Sequence, residues 1–320
     1  TTCHVRWEHS DGSVEGPFYE CSGLENVRFE SGTNKIAKRL FAGCTGLKEI
    51  TIPDIATVIG EKAFERCTNL KKIEIPESVT ELEWCAFSQC SNMETVVINN
   101  GVKQMDANAF AGCKKLSNIT LSENCDIIDE SVFKDCSSLA SIKIPNTVKY
   151  IRASAFENSG LKEITLPESV QLIEDAAFKN SALEKAVVSD NITRIGREAF
   201  ASCAALTQIS LGKKLEEIGN NAFANCDALP GIAIPDSVKV IGTHIFEECD
   251  VLTDVKLGTG LTTIPSYAFH GCVELPKIEL PYRITTVKDH AFTNCVKLLS
   301  ITVPRATASI DETAFSYPGS

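Results

Sequence analysis

Fourteen cysteines in a chain of 320 residues are the first side chains that could do chemistry, as metal ligands, disulfide partners or nucleophiles. None of them stands in a CxxC spacing, which disfavours a zinc site. Eleven recur every 23 residues except between Cys136 and Cys203, and these are Cys21, Cys44, Cys67, Cys90, Cys113, Cys136, Cys203, Cys226, Cys249, Cys272 and Cys295. Ser159 and Ser181 take the two intervening positions, so we predict that the position needs a small side chain with a weak donor. In stacked repeats their Cβ atoms would lie about 4.8 Å apart, whereas a disulfide needs about 3.8 Å. We therefore expect a ladder of buried free thiols, with cross-repeat disulfides as the alternative.

Three cysteines lie outside this ladder. Cys125 replaces an apolar repeat residue and is predicted to be a core residue, while Cys3 belongs to no repeat. Cys85 is predicted to lie on a surface edge beside Trp84, which makes it the candidate reactive thiol. No histidine lies in its repeat or in the neighbouring ones, so the sequence does not favour Cys85 as a catalytic nucleophile.

Histidine is the second candidate ligand, and three of the five histidines fall close together in the repeat pattern. His244 and His290 each stand two residues before a phenylalanine, and Tyr267 takes that place in the intervening repeat. Stacking would leave the two imidazoles about 10 Å apart, too far to share a zinc ion with bonds of about 2 Å. The sequence predicts no metal or other cofactor. We expect a solvated edge here, with the column His244, Tyr267 and His290 as a candidate edge patch for a partner.

The overall composition excludes several classes of protein. The 31 basic and 42 acidic residues give a net charge of −11, which disfavours a nucleic acid partner. We find no apolar run long enough for a membrane span, no signal or anchor, and no motif of a nucleotide-binding or hydrolytic enzyme, so we expect no catalysis. Because the chain opens at Thr1 without a methionine, we expect it to be a piece of a longer protein.

The cysteines recur because they belong to a longer sequence repeat. Three residues after each ladder cysteine comes a leucine or an equivalent residue, followed by alternating apolar residues such as Ile73 and Ile75, and this alternation predicts one short strand per repeat. An Ala-Phe pair such as Ala63-Phe64 predicts a one-turn helix or 3₁₀ turn. Fourteen of the 15 phenylalanines recur every 23 residues, with two intervals of 22, at positions 18, 41, 64, 87, 110, 133, 156, 178, 200, 223, 246, 269, 292 and 315.

A unit of 23 residues cannot bury its apolar stripe alone, but stacked units bury it continuously. We therefore predict an α/β solenoid of short parallel strands and one-turn helical or 3₁₀ segments. Residues 18–320 would form about 13 repeats, and residues 1–17 would form an N-terminal cap or an incomplete repeat. Burial of the phenylalanine column would hold the repeats together.

The pattern AFxxCxxLxxIxIPxSVxxI, present as residues 63–82 and 222–241, resembles the BspA-like leucine-rich repeat proteins. The resemblance covers residues 18–315. It implies a right-handed leucine-rich-repeat solenoid on a cell surface or secreted, with a role in adhesion and host contact and with no catalytic residues. Residues 1–17 depart from the repeat pattern, so their place in the fold does not follow from the resemblance.

The outward residues of the predicted strands are the candidate ligand-binding surface, because they alternate with the buried isoleucines. They are mixed in charge and mostly small, which favours a broad, flat protein contact over a deep pocket or a polyanion track. We expect a monomer that binds an extracellular or host protein, such as a matrix protein, or a glycan. A structural spacer that displays other domains is the alternative. The candidate contact residues are Glu74, Thr120, Lys143, Thr165, Ser210, Lys256 and Glu279.

Overall fold

The computed structural model describes residues 16–29 and 31–316 as two compact units. Unit 1 takes in the described residues up to 148 together with 155–161, and unit 2 takes in 149–154 and the described residues from 162 onward. Cys3 and residues 1–15 of the predicted cap lie outside the described residues. The division into a cap and a solenoid therefore stays a prediction.

A first row of strands follows the leucine, or its equivalent, that comes two or three residues after the ladder position of successive repeats. The alternating isoleucines predict this row. Its side chains point alternately to the core and to solvent, as in Lys72–Ile75, where Ile73 and Ile75 are buried. In unit 1 this row consists of Asn26–Val27, Glu49–Ile50, Lys72–Ile75, Thr95–Ile98 and Asn118–Thr120. In unit 2 it consists of Glu163–Thr165, Lys185–Val187, Gln208–Ser210, Gly231–Ala233, Asp254–Lys256, Lys277–Glu279 and Ser300–Thr302.

The repeats also form a second row of strands, so the prediction of one strand per repeat was wrong. Each second-row strand has two residues and usually buries only one of them, which leaves too little alternation for a sequence pattern to reveal. In unit 1 these strands are Lys35–Ile36, Val58–Ile59, Glu81–Leu82, Gln104–Met105 and Ile127–Ile128. In unit 2 they are Tyr150–Ile151, Leu172–Ile173, Arg194–Ile195, Glu217–Ile218, Val240–Ile241, Thr263–Ile264, Thr286–Val287 and Ser309–Ile310.

Both rows pair in parallel with a register set by the repeat length. In unit 1, Lys72 pairs with Thr95 and Glu74 with Val97, an offset of 23 residues. In unit 2, Glu163 pairs with Lys185 at an offset of 22. Equivalent residues of successive repeats therefore lie beside one another, and the apolar positions form continuous columns within each unit.

The phenylalanines form one of these columns, and their rings stack on one another. Ring centroids of neighbouring repeats lie 5.0 Å apart for Phe64 and Phe87 and 6.0 Å apart for Phe110 and Phe133. The stack runs from Phe18 to Phe156 in unit 1 and from Phe178 to Phe315 in unit 2. Burial of each ring is worth about 1.5–3 kcal/mol, so this column supplies much of the apolar driving force for stacking.

The segment around each phenylalanine is a series of turns, which corrects the prediction of a one-turn helix or 3₁₀ segment. The residues two before and two after the ring have positive φ, as in Lys62 (φ 55°) and Arg66 (φ 59°). This conformation interrupts a right-handed helix. It also turns the amide of Phe64 toward the next repeat, where it donates to the carbonyl of Ala86 at 2.8 Å. The turns therefore hydrogen-bond from repeat to repeat, as the strands do.

Candidate binding surface

The solvent-facing side of the first strand row, here called the strand face, carries the predicted contact residues. Three of these residues are in unit 1 and four are in unit 2, and all seven are exposed. In unit 1, Glu74 and Thr120 lie on Lys72–Ile75 and Asn118–Thr120. In unit 2, Thr165, Ser210, Lys256 and Glu279 each occupy the last position of a three-residue strand.

Lys143 is the exception among them, because no strand is formed at residues 140–145. Its side chain is 82% exposed and its Nζ lies 2.9 Å from Oε1 of Glu123. An ion pair this exposed contributes little to stability. The prediction that Lys143 continues the strand column was therefore wrong in its secondary structure, although the residue remains accessible.

Two grooves lie on the strand face of unit 1. The larger has a volume of about 550 Å³ and is lined by three successive repeats, from Glu49 to Asn99. The smaller, of about 220 Å³, is lined by residues from Thr95 to Lys143 and includes Thr120. Both are lined by Thr95 and Val97, so they adjoin.

These grooves correct the prediction of a flat surface over this part of the chain. Short side chains, among them Thr51, Thr95 and Val97, lie between longer ones such as Glu49 and Glu74. The difference in side-chain length makes the surface concave where a list of outward residues gives only their types. A groove of this kind can hold an extended chain segment in addition to making a broad contact.

The larger groove is acidic, and three of its four acidic residues are not among the predicted contact residues. Glu49, Asp54 and Glu77 line it beside Glu74, with Lys72 as the one lysine in the lining. The acids come from two neighbouring repeats, and they lie past the ends of the strands as well as on them. Along the full column the charges are mixed, so the local excess is visible only when neighbouring repeats are placed side by side.

The predicted edge patch in unit 2 is a stack of three rings. The ring centroids of His244 and Tyr267 lie 4.7 Å apart with an angle of 4° between planes, and those of Tyr267 and His290 lie 4.8 Å apart at 32°. All three residues are half-buried and have positive φ. The rings use their faces on one another, so a partner meets mainly their edges.

Polar neighbours surround this stack. Nδ1 of His290 lies 3.2 Å from Oγ1 of Thr293, and Nδ1 of His270 lies 3.4 Å from Oε1 of Glu248. Within residues 16–29 and 31–316, no group of three or more His, Cys, Asp or Glu side chains is placed to hold a metal ion.

The cysteine ladder makes a specific contact with the phenylalanine column. Ten of the eleven ladder thiols donate a hydrogen bond to the carbonyl oxygen of the phenylalanine one repeat earlier, as Cys67 does to Phe41 at 3.1 Å and Cys249 to Phe223 at 3.1 Å. The 13 described cysteines are all free thiols. The position was predicted to need a small side chain with a weak donor; the cysteine contacts agree, whereas Oγ of Ser159 is buried without a hydrogen-bond partner in the part of the chain that the structure describes. Cys44, Cys67, Cys90, Cys113, Cys136, Cys203, Cys226, Cys249, Cys272 and Cys295 share this bond.

Burial makes these thiols poor nucleophiles. Desolvation raises the pKa of Cys203 to about 11 and that of Cys249 to about 12, so both stay protonated at neutral pH. The prediction that Cys85 is a surface thiol was wrong. Cys85 is only 7% exposed, whereas the neighbouring Trp84 is 43% exposed. Burial raises the pKa of the Cys85 thiol to about 11.

The repeat architecture is matched by a known family. The family model for the BspA type leucine-rich repeat region matches residues 15–140, 126–253 and 193–319. The chain belongs to the BspA-type leucine-rich repeat family. No curated protein matches it. A membrane-spanning segment would need an apolar helix of about 20 residues, and the described part of the chain contains none.

Solved structures with similar folds include three bacterial leucine-rich repeat proteins. A leucine-rich cell surface protein from Faecalibacterium prausnitzii is 27% identical, with a TM-score of 0.53 over 92% of this chain and 87% of that one. A leucine-rich repeat protein from Bacteroides ovatus is 23% identical, with a TM-score of 0.57 over 95% of this chain and 90% of that one. A third, from Eubacterium ventriosum, is 21% identical, with a TM-score of 0.51 over 79% and 84% of the two chains. At 23% and 21% identity, the second and third show a common fold and no more.

Proposed function

We propose that this protein is a non-catalytic binding module of a cell surface or of the extracellular space, an adhesin or host-contact protein that binds an extracellular or host protein. The observation that carries the proposal is the strand face of unit 1, where exposed polar side chains on parallel strands border two adjoining grooves. A solvent-exposed surface of mixed polar residues around a concave centre suits recognition of another protein.

The surface location is supported by similarity. The Faecalibacterium prausnitzii protein is described as a cell surface protein and aligns over most of both chains. We propose the same location for this chain, acting as a monomer, with a matrix protein or a surface glycan as the class of ligand to test. The contact residues would be Glu74, Thr120, Lys143, Thr165, Ser210, Lys256 and Glu279, with the edge patch His244, Tyr267 and His290 as a second contact.

A binding screen with charge-reversal variants tests this proposal. The purified chain is measured against matrix proteins, cell-surface glycans and whole host cells, beside the variant Lys143→Glu/Lys256→Glu. The matched control is Lys103→Glu/Lys239→Glu, which makes the same change in charge at exposed lysines beside the second strand row, one in each unit. Lys239 resembles Lys143 in pairing with one carboxylate, because its Nζ lies 2.8 Å from Oε2 of Glu216.

Binding that the strand-face variant loses and the control keeps would support the proposal, provided that both variants melt within a few degrees of the native chain. Binding lost equally by both variants would mean a general effect of charge and would contradict the strand face as the contact. A folded chain that binds none of these targets would favour the spacer.

A further inference from the structure

The larger groove of unit 1 gathers negative charge on a surface that is otherwise mixed. Its lining contains four carboxylates and one lysine, a formal balance of three negative charges: Glu49, Asp54, Glu74, Glu77 and Lys72. The four acidic residues are exposed, and they come from successive repeats that the parallel register sets side by side. A groove that concentrates one sign of charge attracts groups of the opposite sign.

The charges in this groove differ from those along the edges of the repeats. Edge carboxylates are commonly paired with a lysine of the neighbouring repeat, as Glu25 is with Lys48 at 3.0 Å. Among the described residues, the carboxylates of Glu49, Asp54 and Glu77 have no such ion pair. Glu74 has only a long hydrogen bond of 3.4 Å from Nδ2 of Asn99. The groove therefore offers negative charge that the chain itself does not neutralise.

The placing of Glu49 and Glu74 along the strand direction suits an extended polypeptide, because Glu49 is the first residue of its strand and Glu74 is the third residue of the neighbouring one. Residues two apart on a strand lie about 6.6–6.8 Å apart on one face, and neighbouring strands lie about 4.8 Å apart. The same period of about 6.6–6.8 Å separates alternate side chains of an extended ligand. Short side chains at Thr51, Thr95 and Val97 leave room for its backbone between the longer acidic side chains.

We propose that this groove binds an extended segment of a partner protein that carries lysine or arginine at alternate positions. The inference rests on the proposed function and names the chemistry of the partner. A metal ion fits less well, because the acids are spread over two repeats and form no ligand group among the described residues. A nucleic acid would be repelled by these carboxylates.

Fluorescence anisotropy with three labelled peptides tests the inference on the full chain at low salt. One peptide alternates lysine with alanine, the second has the same composition with its lysines contiguous, and the third has glutamate for lysine. Each is titrated with the native chain and with Glu49→Gln/Glu77→Gln. The matched control is Glu163→Gln/Glu168→Gln, which neutralises exposed glutamates at the same repeat positions in unit 2.

We expect the alternating peptide to bind more tightly than the contiguous one and the glutamate peptide not to bind. The dissociation constant should rise about fivefold or more in the groove variant and less than twofold in the control, and added salt should weaken binding. Equal binding of the two lysine peptides, or equal weakening in both variants, would overturn the inference. A host protein bound through the strand face despite that result would leave the proposed function standing, so the two failures are distinguishable.

Discussion

The thiol of Cys90 donates a hydrogen bond to the carbonyl oxygen of Phe64 in the preceding repeat, with 3.1 Å between Sγ and O. The ring of Phe64 in turn stacks on that of Phe87, at a centroid distance of 5.0 Å. The cysteine ladder and the phenylalanine column are thus linked, because the cysteine of one repeat bonds to the backbone of the phenylalanine turn in the preceding repeat. Ser181 takes the place of cysteine in its repeat, and its Oγ lies 3.3 Å from Sγ of Cys203.

Removal of one ring from the stack should destabilise unit 1 strongly. Phe133 is fully buried and lies 5.4 Å from Phe156 and 6.0 Å from Phe110. We expect Phe133→Ala to lower the free energy of unfolding by about 3–5 kcal/mol, through lost burial and the cavity it leaves. Urea unfolding measures the change, with the exposed substitution Thr120→Ala as the control. A loss below about 1 kcal/mol would contradict the structural role of the stack.

The raised thiol pKa values predict an alkaline loss of stability. In the folded chain burial holds the pKa of Cys203 near 11 and of Cys249 near 12, whereas an unfolded thiol titrates near 9.0. Above that pH the unfolded state loses protons that the folded state keeps, so stability falls as pH rises. Each such thiol costs up to about 1.4 kcal/mol per pH unit between its two pKa values.

Urea midpoints in reducing buffer from pH 7 to pH 10.5 measure this effect. The variant Cys203→Ser is the control, since it should show a shallower decline by about one proton. A free energy of unfolding that stays constant between pH 9 and pH 10.5 would show that the thiols are not desolvated in the folded chain.

Cys85 should resist alkylation although it lies beside the exposed Trp84. With a pKa of about 11, about one molecule in a thousand carries the Cys85 thiolate at pH 8. Cys21 is only half-buried and should react faster. Iodoacetamide labelling followed by peptide mass spectrometry compares the two sites, and labelling in urea should abolish the difference. Equal rates in the native chain would restore Cys85 as a reactive surface thiol.

The positive-φ turns predict which substitutions Gly112 tolerates. Its φ is 74°, and an added Cβ would come no closer than 3.4 Å to its nearest neighbour, Cγ of Gln89. Asparagine adopts this conformation readily, while a β-branched residue does not. We expect Gly112→Asn to change stability by less than about 0.5 kcal/mol and Gly112→Val to cost about 1–2 kcal/mol. Similar urea midpoints for the two variants would contradict the need for this backbone conformation.

Much of the fold could be predicted from the sequence because the repeat places identical side chains at identical positions. The regular spacing of the phenylalanines and cysteines predicts that the repeats stack. The alternation at Ile73 and Ile75 predicts the first strand row. The second row could not be predicted, because a two-residue strand such as Glu81–Leu82 shows no alternation. The turns were mistaken for helix because the positive φ at Lys62 leaves no mark in residue type.

The candidate surface was predictable in position and less so in shape. Glu74 and Thr120 follow from alternation along strands, and the structure exposes both. The shape of the larger groove depends on side-chain lengths in three repeats at once. The acidic residues at its rim, Asp54 and Glu77, lie past the strand ends, where the period of two no longer applies.

Steric blocking tests whether the strand face is the surface that contacts the partner. Because every described cysteine except Cys21 is buried, an exposed cysteine introduced into a Cys3→Ser/Cys21→Ser background can be labelled with maleimide-polyethylene glycol. Thr120→Cys and Ser210→Cys place the polymer on the strand face, while Thr80→Cys and Thr285→Cys place it beside the second strand row. We measure binding to whichever target the native chain binds. Polymer at the first two sites should abolish binding, and polymer at the last two should leave binding intact. Binding that survives both strand-face labels would contradict the strand face as the contact surface.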